Sequence, residues 1–219
     1  MTVATGARQQ FASISVDGTL DVHAASMVVT RAVAVDAATG QFDLFNAKMV
    51  VDYDPAAEAS AFTELRTVLK NGYNSGAWDG HGLISSTLAG KSIGFMPSAL
   101  KFGTNFPATW FGESVDDSTL LVRATAIGDA NLDSTVNFSD LLALAANYNF
   151  SGRGWWQGDF NYDGAVNFTD LLALASHYGQ TVTGSFAGDW AMAVSMAPEP
   201  TTLMAFGATR LLLKRRRVS

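Results

Sequence analysis

Cysteine is absent from the 219 residues, which excludes a disulfide framework and any thiolate metal or redox site. Histidine is scarce: His23, His81 and His177 lie far apart, and neither His-Glu-x-x-His nor Gly-x-Ser-x-Gly occurs. Basic charge is scarce as well. Five of the 14 basic residues crowd into the last ten positions, leaving 9 basic against 20 acidic, a net of −11, elsewhere. So acidic a body is unsuited to nucleic-acid backbones, and no basic patch with interleaved aromatics offers an alternative. Met1–Thr5 has neither the basic n-region nor the apolar h-region of a signal peptide. A strand series that opens in mid-pattern leads us to expect a piece of a longer protein. Asp116-Asp117 and Asp52/Asp54 have the residue type of a glycosidase acid/base pair. A chain with 20 acidic residues offers such pairs freely, so we expect no catalytic residues and no enzyme.

The first half reads as β-rich. Over 1–53, short runs such as Met27-Val28-Val29, Ala32–Val35, Gln41–Phe45 and Lys48–Tyr53 alternate with turns at Asp17-Gly18, Ala38–Gly40 and Asn46. Strands this short and closely spaced predict a sandwich or the last rungs of a β-solenoid. Residues 54–127 complete the domain with one helix and further strands. Asp54 is a good N-cap with Pro55 behind it, Leu65, Val68 and Leu69 fall at helical spacing, and Gly72 is placed to end the helix. The loop Gly72–Gly82 has the composition of a packed connection, or of a sugar cradle built on Trp78. Ser92–Met96, Thr109–Phe111 and Ser118–Ile127 read as strands.

Residues 128–180 contain a duplication. Gly128–Tyr148 returns as Gly158–Tyr178, at a constant offset and without a gap. Each copy sets oxygen-bearing side chains at loop positions 1, 3, 5, 9 and 12: Asp129, Asn131, Asp133, Asn137 and Asp140, then Asp159, Asn161, Asp163, Asn167 and Asp170. At position 7, Thr135 and Ala165 offer backbone carbonyls. Hard oxygen donors on this schedule suit a hard cation of high coordination number, so two Ca2+ sites are expected and no other cofactor. Aspartate at position 12 asks for a tighter loop than the usual glutamate. Position 6 is Gly164 in loop 2 but Ser134 in loop 1, where the turn favours positive φ, so loop 1 is expected to bind more weakly.

A β-branched run precedes Asp129 and a short Gly/Trp stretch precedes Asp159, so each loop has an exit helix and no entering helix. Duplicated Asp-x-Asn-x-Asp loops of this form resemble the type I dockerin family. The resemblance implies a calcium-folded α-helical pair of loop–helix repeats that docks onto a cohesin-like protein or onto the chain's own upstream domain. In that family a hydroxyl pair at loop positions 10 and 11 contacts the receptor. Here those positions are Phe138 and Ser139, then Phe168 and Thr169, which become the expected partner contacts; the alternative is that both phenylalanines tuck under the preceding β domain or into the core. The exit-helix stripes Leu141, Leu144, Ala145, Tyr148 and Leu171, Leu174, Ala175, Tyr178 are expected to pack on each other. The order Val50–Tyr53, Gly72–Trp78 and Val122-Arg123 ahead of the loops looks like the module that precedes such repeats in planctomycete-type surface proteins.

After a linker over 181–197, Pro198-Glu199-Pro200 leads into an apolar run, Thr201–Leu213, broken by Arg210 and followed by Lys214–Arg217. This order resembles a PEP-CTERM sorting signal read by an exosortase-type enzyme. The run is shorter than the ~20 residues of a spanning helix, which implies transient membrane contact. The expected fold class is therefore mixed, with a β-rich N-terminal domain, the dockerin-like pair over 128–180 and a sorting tail over 198–219. The expected function is non-catalytic, calcium-dependent docking at the cell surface or outside the cell, with polysaccharide association as a further expectation. The alternative is the C-terminal part of a polysaccharide-degrading enzyme, a glycoside hydrolase attached through its dockerin.

Overall fold

Short β-branched strands separated by tight turns cannot bury both faces alone, and in this chain they do so by stacking. The structure is a computed structural model that describes residues 2–3, 8–22, 27–87, 91–179 and 186–196. It is mixed α and β. Its strands are β1 (Thr2–Val3), β2 (Arg8–Gln10), β3 (Ile14–Val16), β4 (Thr19–Val22), β5 (Met27–Thr30), β6 (Val33–Val35), β7 (Gln41–Asp43) and β8 (Lys48–Asp52). Helix α1 (Glu58–Tyr73), β9 (Leu83–Ile84), β10 (Lys91–Pro97), α2 (Ser98–Phe102), β11 (Ala108–Trp110), β12 (Glu113–Val115) and β13 (Thr119–Ala126) follow. The chain continues with α3 (Phe138–Asn147), α4 (Phe168–Ala175) and α5 (Phe186–Met196).

Of the two β arrangements open to the sequence, the pairing is the stacked one. β2, β5 and β8 pair in parallel, as do β3 with β6 and β1, β4, β7 and β9 in succession. Register fixes the rung length. Arg8 faces Met27 and Ile14 faces Val33, the same step along the chain, while Met27 faces Lys48, a slightly longer one. In the third turn α1 lies against β6, where another parallel strand would otherwise stack. β13 closes the other sheet by pairing antiparallel to β8, and β10 pairs antiparallel to β13.

Helix α1 begins behind a 3-10 turn, Pro55–Ala57, whose Ala56 N–H donates to the Asp54 carboxylate at 2.9 Å. It buries Ala61, Leu65, Val68 and Leu69 as the spacing predicts. Gly72 does not end it. The helix runs on to Tyr73 and Asn74 takes the left-handed cap, while a Cβ on Gly72 would sit 2.0 Å from the Leu83 carbonyl oxygen. That glycine is there to let β9 come close. Trp78 is buried edge-on against Tyr73 and Tyr162, so the loop before β9 is a packed connection rather than a sugar platform.

The self-contained dockerin-like helical pair expected over 128–180 is not what this region forms. Leu132, Trp155, Tyr162 and Leu144 belong to one continuous core with the sheet residues Ile93, Phe95 and Val122. Trp156 meets Phe62 of α1 and Phe95 of β10 edge-on. The stretch read as a linker carries α5, and α3 packs more on α5 than on α4. The stripes therefore do not zip onto each other: Tyr148 meets Trp190, and the Tyr178 hydroxyl donates to Asp189 at 2.9 Å. The physical reason is the aromatic load of the second repeat, too large for two short helices to cover. Among the described residues no helix is long and apolar enough to cross a membrane.

Candidate metal centre

The two loops have the same backbone. Position 4 is left-handed in both, at Leu132 (φ 57°) and Tyr162 (φ 61°), and so is position 6, at Ser134 (φ 80°) and Gly164 (φ 87°). Ser134 thus adopts the turn that favours glycine, a cost of roughly 1 kcal/mol. Each loop ends in a capping box: Asn137 accepts from Ser139 N–H and Asp140 accepts from Asn137 N–H, with Asn167, Thr169 and Asp170 repeating the pattern.

The repeats hold each other reciprocally. Asn149 N–H donates to the Val166 carbonyl at 2.8 Å, and Gly179 N–H donates to the Val136 carbonyl at 3.0 Å. Gly128 leaves room for Leu174, and Gly158 leaves room for Leu144, each with positive φ. Two copies of one segment are thereby related by a local pseudo-twofold.

Four carboxylates, Asp129, Asp140, Asp159 and Asp170, are fully buried at positions 1 and 12. Backbone amides satisfy most of their oxygens. Asp140 accepts from Ala130 N–H (2.8 Å) and Asn131 N–H (3.2 Å), and Asp170 accepts from Phe160 N–H (2.9 Å). Asp129 accepts from Asp133 N–H (3.0 Å), Ser134 N–H (2.9 Å) and the Thr125 hydroxyl. Among the described residues Asp159 accepts only from Gly164 N–H (3.0 Å), and its Oδ1 is buried with no partner.

Burial pushes Asp140 and Asp159 up to about 7, in Asp159 with the Asp170 and Asp163 charges adding to it. Asp129 and Asp170 are raised by burial too. Burial acts on Asp133 in the same direction, but hydrogen bonds from Thr135 outweigh it and hold this carboxyl below the ordinary range. Burial thus disfavours the charged form of these carboxylates, and either a proton or a cation relieves it.

Position by position, Asp129, Asn131, Asp133, Thr135, Asn137 and Asp140 lie along one loop, and Asp159, Asn161, Asp163, Ala165, Asn167 and Asp170 along the other. Asn131 and Asn161 turn their side-chain oxygens to the Asp133 and Asp163 N–H groups. Among the described residues no three acidic or histidine side chains converge as a ready cluster. The donor set still fits calcium, since it mixes carboxylates, amides and carbonyls on one tight loop, with an orphaned buried oxygen in the second.

Loop 2 opens on a cleft of about 620 Å3 lined by Asn161, Asp163 and Thr169 on one side and Lys70, Tyr73 and Asn74 on the other. The four expected partner contacts separate. Phe168 is 66% exposed beside Leu172 at 59%, and Thr169 is exposed. Phe138 packs partly against the core while Ser139 is exposed. Pro198, Glu199 and Pro200 lie outside the described residues.

Several residues at the site were not singled out by spacing. Lys101 of α2 donates to the carbonyls of Asn131 (3.0 Å) and Leu132 (3.2 Å). Arg123 of β13 donates to Ser134 Oγ at 2.8 Å. Trp155 donates from its indole to the Asp129 carbonyl at 2.7 Å, and the Tyr162 hydroxyl donates to the Ile93 carbonyl at 2.6 Å. Trp155 stands to Asp159 as Thr125 stands to Asp129, so carrying the repeat comparison back beyond Gly128 would have marked both.

Asp52 and Asp116 border one cleft, Asp52 raised by burial and Asp116 held low. The Asp116 carboxylate takes Ser118 N–H, Ser118 Oγ and Thr119 Oγ1, which is the geometry of a turn. No protein-family model, curated protein or solved structure matches the chain.

Proposed function

We propose that this chain is a calcium-dependent, non-catalytic protein of the cell surface or extracellular space. In this reading its duplicated, dockerin-like loops fold around Ca2+ and present a docking face. The observation that carries the reading is Asp159, 1% exposed, with Oδ1 unpartnered inside a loop whose ligand spacing is that of the earlier copy from Asp129 to Asp140. A buried anion with an orphaned oxygen is costly, the Arg66 charge offsets its burial only in part, and a divalent cation removes the remaining cost.

Two partners follow. The first is the chain's own β domain, on which Trp155, Trp156 and Tyr162 are seated. The second is a cohesin-like receptor at the exposed Phe168 and Leu172, an apolar pair beside the hydroxyl of Thr169. The Pro198-Glu199-Pro200 tail would address the protein to an exosortase-type processing enzyme.

The test is calcium retained by the full chain after gel filtration, measured by elemental analysis. Calcium is expected to co-elute with wild type and to fall in Asp159→Ala. Phe168→Ser is expected to keep the calcium and lose capture by a cohesin-like receptor. A wild-type chain eluting free of calcium from millimolar calcium would contradict the reading.

A further inference from the structure

The two loops share a ligand schedule, but the protein around them treats them differently. In loop 1 both oxygens of Asp129 have backbone partners, Asp133 N–H on Oδ1 and Ser134 N–H on Oδ2, and the Thr125 hydroxyl adds a second donor on Oδ2. In loop 2 Asp163 N–H donates to Asn161 Oδ1 and no counterpart of the Asp133 bond reaches Asp159 Oδ1, which is left bare, while Trp155, in the place of Thr125, has no hydroxyl to add.

Loop 1 also carries a built-in cation. The Lys101 ammonium donates to the carbonyls at positions 3 and 4 and is held 5.4 Å from the centre of the Trp110 ring. Arg123, braced over Phe111, pins the side chain of Ser134 at position 6. Loop 2 has a nearby cation in Arg66, whose guanidinium lies over the Phe62 ring and donates to the Arg153 carbonyl at 3.5 Å. That carbonyl lies outside the loop, so Arg66 stands beside Gly164 and bears on Asp159 by its charge without donating to a loop carbonyl. Loop 2 therefore has an unmet buried acceptor and, among the described residues, no ammonium on its carbonyls.

We infer that loop 2 is the tight calcium site, whereas loop 1 is held in shape by Lys101 and Thr125 and takes calcium only weakly. Lys101 acts as a resident monovalent stand-in that a divalent ion has to work against. This inference rests on the calcium reading, and deepens it by assigning unequal roles to the loops.

The test is calorimetric titration of calcium chloride into the chelator-stripped full chain. Wild type is expected to show one tight and one weak step. Asp159→Asn removes the tight step, and Asp129→Asn spares it. Lys101→Met leaves the tight step in place and tightens the weak one about tenfold, the scale of one nearby unit charge at a protein surface. Lys101→Arg keeps the charge and leaves both steps as they were. Two equal steps, loss of the tight step in Asp129→Asn, or Lys101→Met behaving like Lys101→Arg would each overturn the inference. No uptake at all by wild type would remove the calcium reading itself, and the ranking with it.

Discussion

At the scale of single residues, buried acids set the pH behaviour. Asp140 and Asp159 hold their protons up to about 7, whereas an unfolded chain releases them near 4. Between those values the metal-free folded state binds more protons than the unfolded one, so its stability falls as pH rises through that window. We expect the thermal midpoint in chelator to drop from pH 5 to pH 8, and millimolar calcium to remove that drop by displacing the protons. A chelated protein that is more stable at pH 8 than at pH 5 would contradict this.

Tyr162 makes a second residue-scale case. Its buried hydroxyl donates to the Ile93 carbonyl and also meets Ser92 Oγ at 3.0 Å. Tyr162→Phe leaves both without that partner, at a cost of about 1–3 kcal/mol, and is expected to lower the midpoint by about 3 °C per kcal/mol. Calcium affinity should hardly move, since position 4 is not a ligand position.

At the scale of elements, the contact between β10 and the loops is decided at Gly94. A Cβ there would lie 2.5 Å from Leu132, 2.7 Å from the Trp155 indole nitrogen and 2.9 Å from Thr125. Gly94→Ala is expected to cost about 1–3 kcal/mol through overpacking. The damage should appear as faster amide exchange over 128–147; exchange unchanged there would show that the seat adapts. How much was legible divides at this same boundary. Helix α1, β13 and the duplicated loops could be read because their cues are local: a cap, a β-branched run, a fixed offset. The parallel rungs were legible only as one of two options, because partners a whole rung apart, such as Arg8 and Met27, leave no local sign of which face pairs. Helix α5 escaped because Phe186-Ala187-Gly188-Asp189-Trp190-Ala191-Met192 shows no clear polar face. Gly94 and Tyr162 look like an ordinary strand glycine and a loop tyrosine until the two halves are brought together.

At the scale of the whole molecule, the stacked strands and the loop repeats form one core, so loss of the metal is felt beyond residues 128–180. The central claim is that a cation offsets buried charge that the protein compensates only in part. The measurement that meets it most directly is the thermal midpoint of the full chain at pH 8, for wild type and Asp159→Asn, each in calcium and in chelator. The account predicts opposite signs. In calcium the substitution removes a ligand and lowers the midpoint; in chelator it removes a buried, unpartnered charge and raises it above wild type. A wild-type midpoint that chelator leaves in place, or an Asp159→Asn chain less stable than wild type in both solutions, would contradict it.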